Sequence, residues 1–131
     1  MNEDKPDISV WLKYAEGDLH LAQWGMQDNN PVYHSICFLC QSSAEKYLKA
    51  LLLKNNWKLR KTHDLIFLLK ENQRIINLNI QELIDEASIL NSFVEETRYP
   101  GDIDLEYFNR NLAEEAINAA EKIKQFVIIN I

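Results

Sequence analysis

Apolar residues recur at steps of three and four along most of the chain. Ile8, Trp11, Leu12, Ala15, Leu19, Ala22 and Met26 make the first such stripe, one face of a 3.6-residue helix. Asp7 stands at its start as an N-cap, with Pro6 just before it. The run Asp28-Asn29-Asn30-Pro31 closes this helix and opens the next. Asn30 is its expected cap and Pro31 its first residue, where a missing N–H costs nothing. The second helix is predicted from Pro31 to about Lys54, roughly 36 Å at ~1.5 Å per residue. Tyr33, Ile36, Cys37, Cys40, Ala44, Tyr47, Leu48 and Leu51 form its main stripe, widened by Phe38, Leu52 and Leu53. A helix that apolar touches neighbours on more than one side, so it is read as the central one.

Beyond a basic connection, Thr62 is the expected cap of a short helix carrying Leu65, Leu68 and Leu69. Asn79 is that of a fourth, with Ile80, Leu83, Ile84, Ala87, Leu90 and Val94 inward and Phe93 beside them. Arg98-Tyr99-Pro100-Gly101-Asp102 is the strongest break, because Pro and Gly together stop a helix. Asp104 is then expected to cap a fifth helix, buried along Leu105, Phe108, Leu112, Ala116, Ala119, Ala120, Ile123 and Val127. The closing Ile128-Ile129-Asn130-Ile131 is apolar enough that it is expected to pack. No period-2 strand, repeat or low-complexity tract interrupts the pattern. The expected fold is all-α: an antiparallel up-and-down bundle of four long helices plus one short helix, in one domain over residues 1–131.

Composition narrows this further. With three Gly and three Pro in 131 residues, the many tight turns of a sandwich or barrel are excluded. The net charge of −6 hides an asymmetry: residues 46–61 carry six basic residues and no acid, whereas residues 82–121 carry eleven acids against Arg98 and Arg110. An acidic chain is a poor generic nucleic-acid binder. A local basic patch still suits one phosphate or an acidic partner, and opposed charged surfaces suit self-association. Cys37 and Cys40 have C-x-x-C spacing, but with no second pair and no His nearby they read as buried thiols of a reducing compartment. Residues 1–7 are polar and acidic, and no apolar run approaches ~18 residues. A cytoplasmic protein with no membrane segment is expected.

Gly-rich phosphate loops, H-E-x-x-H, Glu-x-x-His pairs and serine elbows are all absent from the sequence. What stands out is polar residues in odd places. Gln41, Glu45 and Lys49 lie one turn apart on the central helix, either as a solvated stripe with a surface ion pair worth ~0.3 kcal/mol or as a buried site. His63 and Asp64 open the short helix, where Asp suits the helix dipole. Arg98 and Tyr99 sit at the break, placed either to clamp an anion, since guanidinium offers paired planar donors, or to tie two helix ends together. His20 and His34 are read as surface residues.

Three segments in order, residues 41–50 (QSSAEKYLKA), Thr62-His63-Asp64-Leu65 and Arg98-Tyr99-Pro100, resemble the HEPN family, and Trp11, Ala15, Asp18-Leu19 and Ala22 fit its first helix. The resemblance covers nearly the whole chain. It implies a small helical bundle, usually a homodimer, that acts beside a minimal nucleotidyltransferase in two-component, often toxin–antitoxin, systems. Many relatives are metal-independent ribonucleases marked by an Arg and, a few residues on, a His. Here Arg60 precedes His63 with only two residues between, and no His follows Arg74, Arg98 or Arg110. The leading expectation is therefore a non-catalytic protein that binds a nucleotide or RNA phosphate, with Glu45, Lys49, His63, Asp64, Arg98 and Tyr99 around one pocket, closed across a dimer interface. The alternatives are a degenerate ribonuclease using His63 and Arg98, and a plain helical interaction module. None of these readings calls for a metal or cofactor.

Overall fold

Asp7 does cap the first helix, its carboxylate accepting the Ser9 N–H at 3.0 Å. In the computed structural model, which describes residues 7–96 and 105–131, that helix is α1 (Ile8–Gly25), followed by α2 (Tyr33–Lys54), α3 (Leu65–Ile76), α4 (Ile84–Glu96) and α5 (Arg110–Asn130). They form the expected antiparallel all-α bundle. α4 is shorter than the periodicity suggests, because a 3₁₀ turn at Gln81–Leu83 takes up its first residues.

The central role of α2 is structural fact. It packs against α1, α3, α4 and α5, and thirteen of its 22 residues are buried, so most of its surface is covered. Small residues line both helices where they meet: Ala15 and Ala22 on α1 and Ser43 and Ala44 on α2 are all fully buried. Ser43 Oγ donates to the Ala15 carbonyl at 2.7 Å, which satisfies the hydroxyl inside the core. Cys37 and Cys40 are buried in the same layer, and burial pushes the Cys40 thiol far above its ordinary value. That makes it inert.

Four helix starts differ from the sequence expectation, each for a local reason. Asn30 does not cap α2: its N–H is taken by Asp28 Oδ2 at 3.1 Å in a turn that consumes two residues, and the helix begins at Tyr33 behind Val32 with no side-chain cap. Thr62 Oγ1 accepts from the Asp64 N–H at 3.2 Å, which hands the capping role to Asp64. Asn79 accepts from Gln81 and opens the 3₁₀ turn instead of the helix proper. A second 3₁₀ turn at Leu105–Tyr107 delays α5 until Asn109 caps it through the Leu112 N–H at 2.9 Å; Asp104 lies outside the described residues. At the other end Ile131 touches the core, but Ile128 and Ile129 are exposed, so the apolar tail packs less than its composition predicts. Among the described residues no helix is long and apolar enough to cross a membrane.

α2 ends in a turn that matters for the site. Asn56 adopts a left-handed conformation (φ 67°), and the N–H groups of Asn56 and Trp57 bond the Leu53 and Leu52 carbonyls, the Schellman arrangement. Trp57 is thereby folded under the helix end, its indole N–H donating to Glu71 at 3.1 Å. The chain then reverses, and residues 57–64 run without regular structure back along α2.

The close α1–α2 contact yields a direct test. Ala15→Leu should overpack this layer and cost about 1–3 kcal/mol, read as a lower urea midpoint at unchanged slope.

Candidate functional site

Gln41, Glu45 and Lys49 lie inside the bundle, not on a solvated stripe. Gln41 and Lys49 are buried, and only 12% of the Glu45 side chain is exposed. A carboxylate there needs compensation. Lys49 Nζ donates to Glu45 Oε2 at 2.8 Å, and His63 Nδ1 stands 2.7 Å from Oε1. Gln41 Nε2 reaches the same Oε1 at 3.3 Å and the His63 carbonyl at 3.1 Å, so it holds both the acid and the backbone of the returning segment. Burial pushes the Glu45 carboxyl up, but the hydrogen bonds and charges of Lys49 and His63 outweigh it and leave the group below its ordinary value.

His63 is the exposed member, with 56% of its side chain accessible. Because Nδ1 is committed to Glu45, the neutral ring carries its proton there and leaves Nε2 as an acceptor; once protonated, Nε2 becomes a donor. The pair can therefore accept a proton, donate one, or hydrogen-bond an anion.

His63 borders a groove of about 680 Å³. Phe38, Leu39 and Val94 supply apolar lining, and Ser42, Glu45, Lys46 and His63 supply polar lining. Lys46 is held by Asp18 at 2.6 Å and by Ser42 at 2.9 Å, with 30% of its side chain exposed. The groove thus combines an apolar wall, one accessible cation and one carboxylate-oriented imidazole.

Of the six residues singled out from sequence, Glu45, Lys49 and His63 come together. Lys49 does not line the groove, however: its ammonium is committed to Glu45, and the cation a ligand would meet is Lys46. Asp64 is not aimed at these groups. Its Oδ1 accepts the Ile66 and Phe67 N–H groups at 3.0 and 3.2 Å and Asn91 Nδ2 at 2.9 Å, so it caps α3 and ties it to α4. Asn91 completes the clasp by accepting the Leu65 N–H at 2.8 Å. Arg98 and Tyr99 lie outside the described residues. His20 is exposed, and His34 is half-buried at the groove edge. Lys46, Phe38 and Asn91 were missed. The signal for the first two was present: Phe38, Ser42, Glu45 and Lys46 follow one another at helical steps on α2. For Asn91 there was none, since a polar residue in mid-helix usually faces water. No group of three or more His, Cys, Asp or Glu side chains suited to a metal ion occurs among the described residues.

A family model described as the HEPN domain matches residues 8–130. The chain belongs to the HEPN family. Two solved structures share its fold over nearly its full length. TT1696 from Thermus thermophilus is 28% identical, covers 95% of this chain and 98% of its own, and superposes with a TM-score of 0.84. ST0689, described as an archaeal HEPN homologue, is also 28% identical, with 94% and 96% coverage and a TM-score of 0.75. No protein of curated function matches significantly. In this HEPN domain, then, the family fold presents a buried Glu–Lys pair whose carboxylate orients an accessible histidine.

Lys49→Met leaves the Glu45 carboxylate buried without its lysine. It should lower stability by about 3 kcal/mol at neutral pH, and Glu45→Gln in the same chain should recover much of that loss. Because the folded-state Glu45 carboxyl lies below its ordinary 4.5, its contribution is complete above that pH and lost as pH falls through the lowered value. Glu45→Gln should flatten this part of the acid-stability curve, as measured by urea titrations between pH 3 and 7.

Proposed function

We propose that this HEPN domain is a non-catalytic protein that binds the phosphate of a nucleotide or RNA in the groove beside His63, acting as partner of a nucleotidyltransferase in a two-component system. The observation that carries this reading is the Glu45-oriented imidazole at the border of an apolar-walled groove that also holds Lys46. Phosphate oxygens are acceptors, and a protonated His63 and Lys46 are donors to them. Phe38 and Leu39 offer an apolar surface for a base. The partner follows from the resemblance to the family's two-component members, and co-purification with the product of a neighbouring nucleotidyltransferase gene tests it.

One observation favours a second reading. A carboxylate–histidine pair is also equipment for general acid–base catalysis, as ribonuclease chemistry requires. Against it stands the sequence, where no Arg precedes a His at the ribonuclease spacing.

Titration with ATP and with a short single-stranded RNA checks the proposal. A hydrogen bond to a charged group contributes about 1.5–3 kcal/mol, so His63→Ala and Lys46→Ala should each weaken binding about 10-fold or more with the fold intact. Equal affinity in all three proteins would sink the groove as the site. The wild-type protein should leave the RNA uncut in EDTA; cleavage that His63→Ala abolishes would establish the ribonuclease reading instead.

A further inference from the structure

The basic run that ends α2 finds no counter-charge in the chain. Elsewhere Lys46, Lys49, Arg110, Lys122 and Lys124 each stand within 4.0 Å of a carboxylate, and among the described residues only Lys13 is unpaired. Within residues 54–74 the balance reverses. Lys54, Lys58, Arg60, Lys61 and Lys70 have no ion-pair partner among the described residues, and Arg74 alone has one, Glu71. All six are exposed. The two acids of the same stretch are already occupied, Asp64 by the start of α3 and Glu71 by Arg74 and the Trp57 indole.

The segment carrying three of these cations is also short of backbone partners. Its ends are tied to α2, the Trp57 N–H to the Leu52 carbonyl and the His63 carbonyl to Gln41. Those two positions lie roughly 16 Å apart along the helix at ~1.5 Å per residue. Six residues of fully extended chain reach about 20 Å, so the segment is nearly straight, and it contains no turn or bend. The N–H and C=O groups of Lys58, Leu59, Arg60, Lys61 and Thr62 make no hydrogen bond to any described residue. The segment is a strand without a second strand.

Side chains of an extended chain alternate between two sides. Lys58 and Arg60 therefore share one side, and Leu59 and Lys61 the other. The Arg60 guanidinium lies 4.8 Å from the centre of the Phe67 ring on α3, so the first side faces that helix. A groove of about 470 Å³ runs there, lined by Trp57, Lys58, Arg60, Arg74 and Ile75 among others. On the other side Leu59 is 50% exposed. Charge and apolar surface thus alternate along an open backbone edge.

An occupant that satisfies all of this is anionic, extended and supplied with N–H and C=O groups at peptide spacing. An acidic peptide with a carboxylate at every second residue and apolar side chains between meets each condition, since an added strand pairs its backbone and its alternate side chains at once. A nucleic acid or a lipid surface would engage the charges and leave the backbone edge unused. A second copy of the segment brings the same cations, and lysine on an exposed edge repels such self-pairing. The chain's own acidic stretch, residues 82–121, is largely held in α4 and α5, where it is not free to extend.

We propose that residues 58–62 take an extended acidic segment of another protein as a second strand, with its carboxylates on Lys58 and Arg60 and its apolar side chains beside Leu59. Lys54, Lys61 and Lys70 add to the positive field that steers the segment in. The inference needs neither the His63 groove nor a phosphate ligand, so it is tested apart from the nucleotide reading.

Fluorescence anisotropy of the full chain with a short labelled peptide that alternates glutamate and valine measures this. The peptide should bind, with an affinity that falls as salt is raised. The same peptide N-methylated throughout keeps its charge and loses its donors. It should bind about 10-fold more weakly or worse, since one net hydrogen bond corresponds to roughly 5-fold. Lys58→Glu with Arg60→Glu should weaken binding by about 10-fold or more, with unchanged helical circular dichroism because both side chains are exposed. Lys13→Glu, which changes the net charge away from the segment, should leave the affinity nearly as it was. No binding of the alternating peptide, equal binding of its N-methylated form, or an affinity that survives the double charge reversal would each overturn the proposal. Displacement of the labelled peptide by single-stranded RNA or phosphatidylserine vesicles at lower concentration than by unlabelled peptide would assign the cations to those partners and overturn it as well.

Discussion

A carboxylate placed mid-way along a helix that four others cover has to be neutralised where it stands, and Glu45 is that carboxylate. α2 packs on every other helix and only the edge of Glu45 reaches the groove, so most of the compensation must come from the chain itself. Lys49, one turn on, supplies the charge, and His63 arrives from the returning segment to supply a second hydrogen bond. Breaking such a buried pair is far more costly than its net contribution suggests, because the remaining charge has nowhere to go. The same arrangement that keeps the core neutral also leaves an oriented imidazole at the edge of a groove. Stability and chemistry use one set of atoms.

His63 reaches Glu45 because of how α2 ends. Glu45 is nine residues before the last residue of α2, about 13 Å at 1.5 Å per residue, and a chain leaving Lys54 in the helix direction would move away from it. The left-handed Asn56 and the buried Trp57 turn the chain back. Gln41 then holds the His63 carbonyl, and the Asp64–Asn91 clasp fixes the start of α3 against α4. Each of these bonds is modest alone. Together they fix the segment at both ends, so the ring has a defined position although it is more than half exposed.

Electrostatics elsewhere follow the same economy. Asp18 gathers Ser42 and Lys46, and Glu16 gathers Lys124 and the Tyr47 hydroxyl. Burial and the Glu16 carboxylate push the Tyr47 phenol well above its ordinary value, so it stays a donor at any physiological pH. These pairs join α1 to α2 and α5 along the polar flanks of α1, between its buried alanine face and its exposed aromatic one. They set how α1 is rotated on the bundle, and hence which residues it turns outward.

The sequence by itself determined the number and order of the helices, the central place of α2 and most of the residues that face the core, Phe38 being an exception that opens onto the groove. A 3.6-residue apolar period is a local property, and burying it requires no knowledge of the partner. It also brought out Glu45, Lys49 and His63 as residues out of place, and the family through segments that keep their order. The helix starts were decided by neighbours: Asn30, Thr62 and Asn79 are all competent caps, but Thr62 and Asn79 accept from the N–H two residues on and close a turn just ahead of the helix, and Asn30 is drawn into a turn by Asp28. Tertiary structure alone decided that the Gln41–Glu45–Lys49 face points inward, that Lys49 is occupied while Lys46 borders the groove, and that Asp64 serves a helix end. An i,i+4 acid–base pair has the same spacing on a wet face and on a dry one. Which it is depends on whether another helix lies over it, and that is a property of packing at long range that no local pattern encodes.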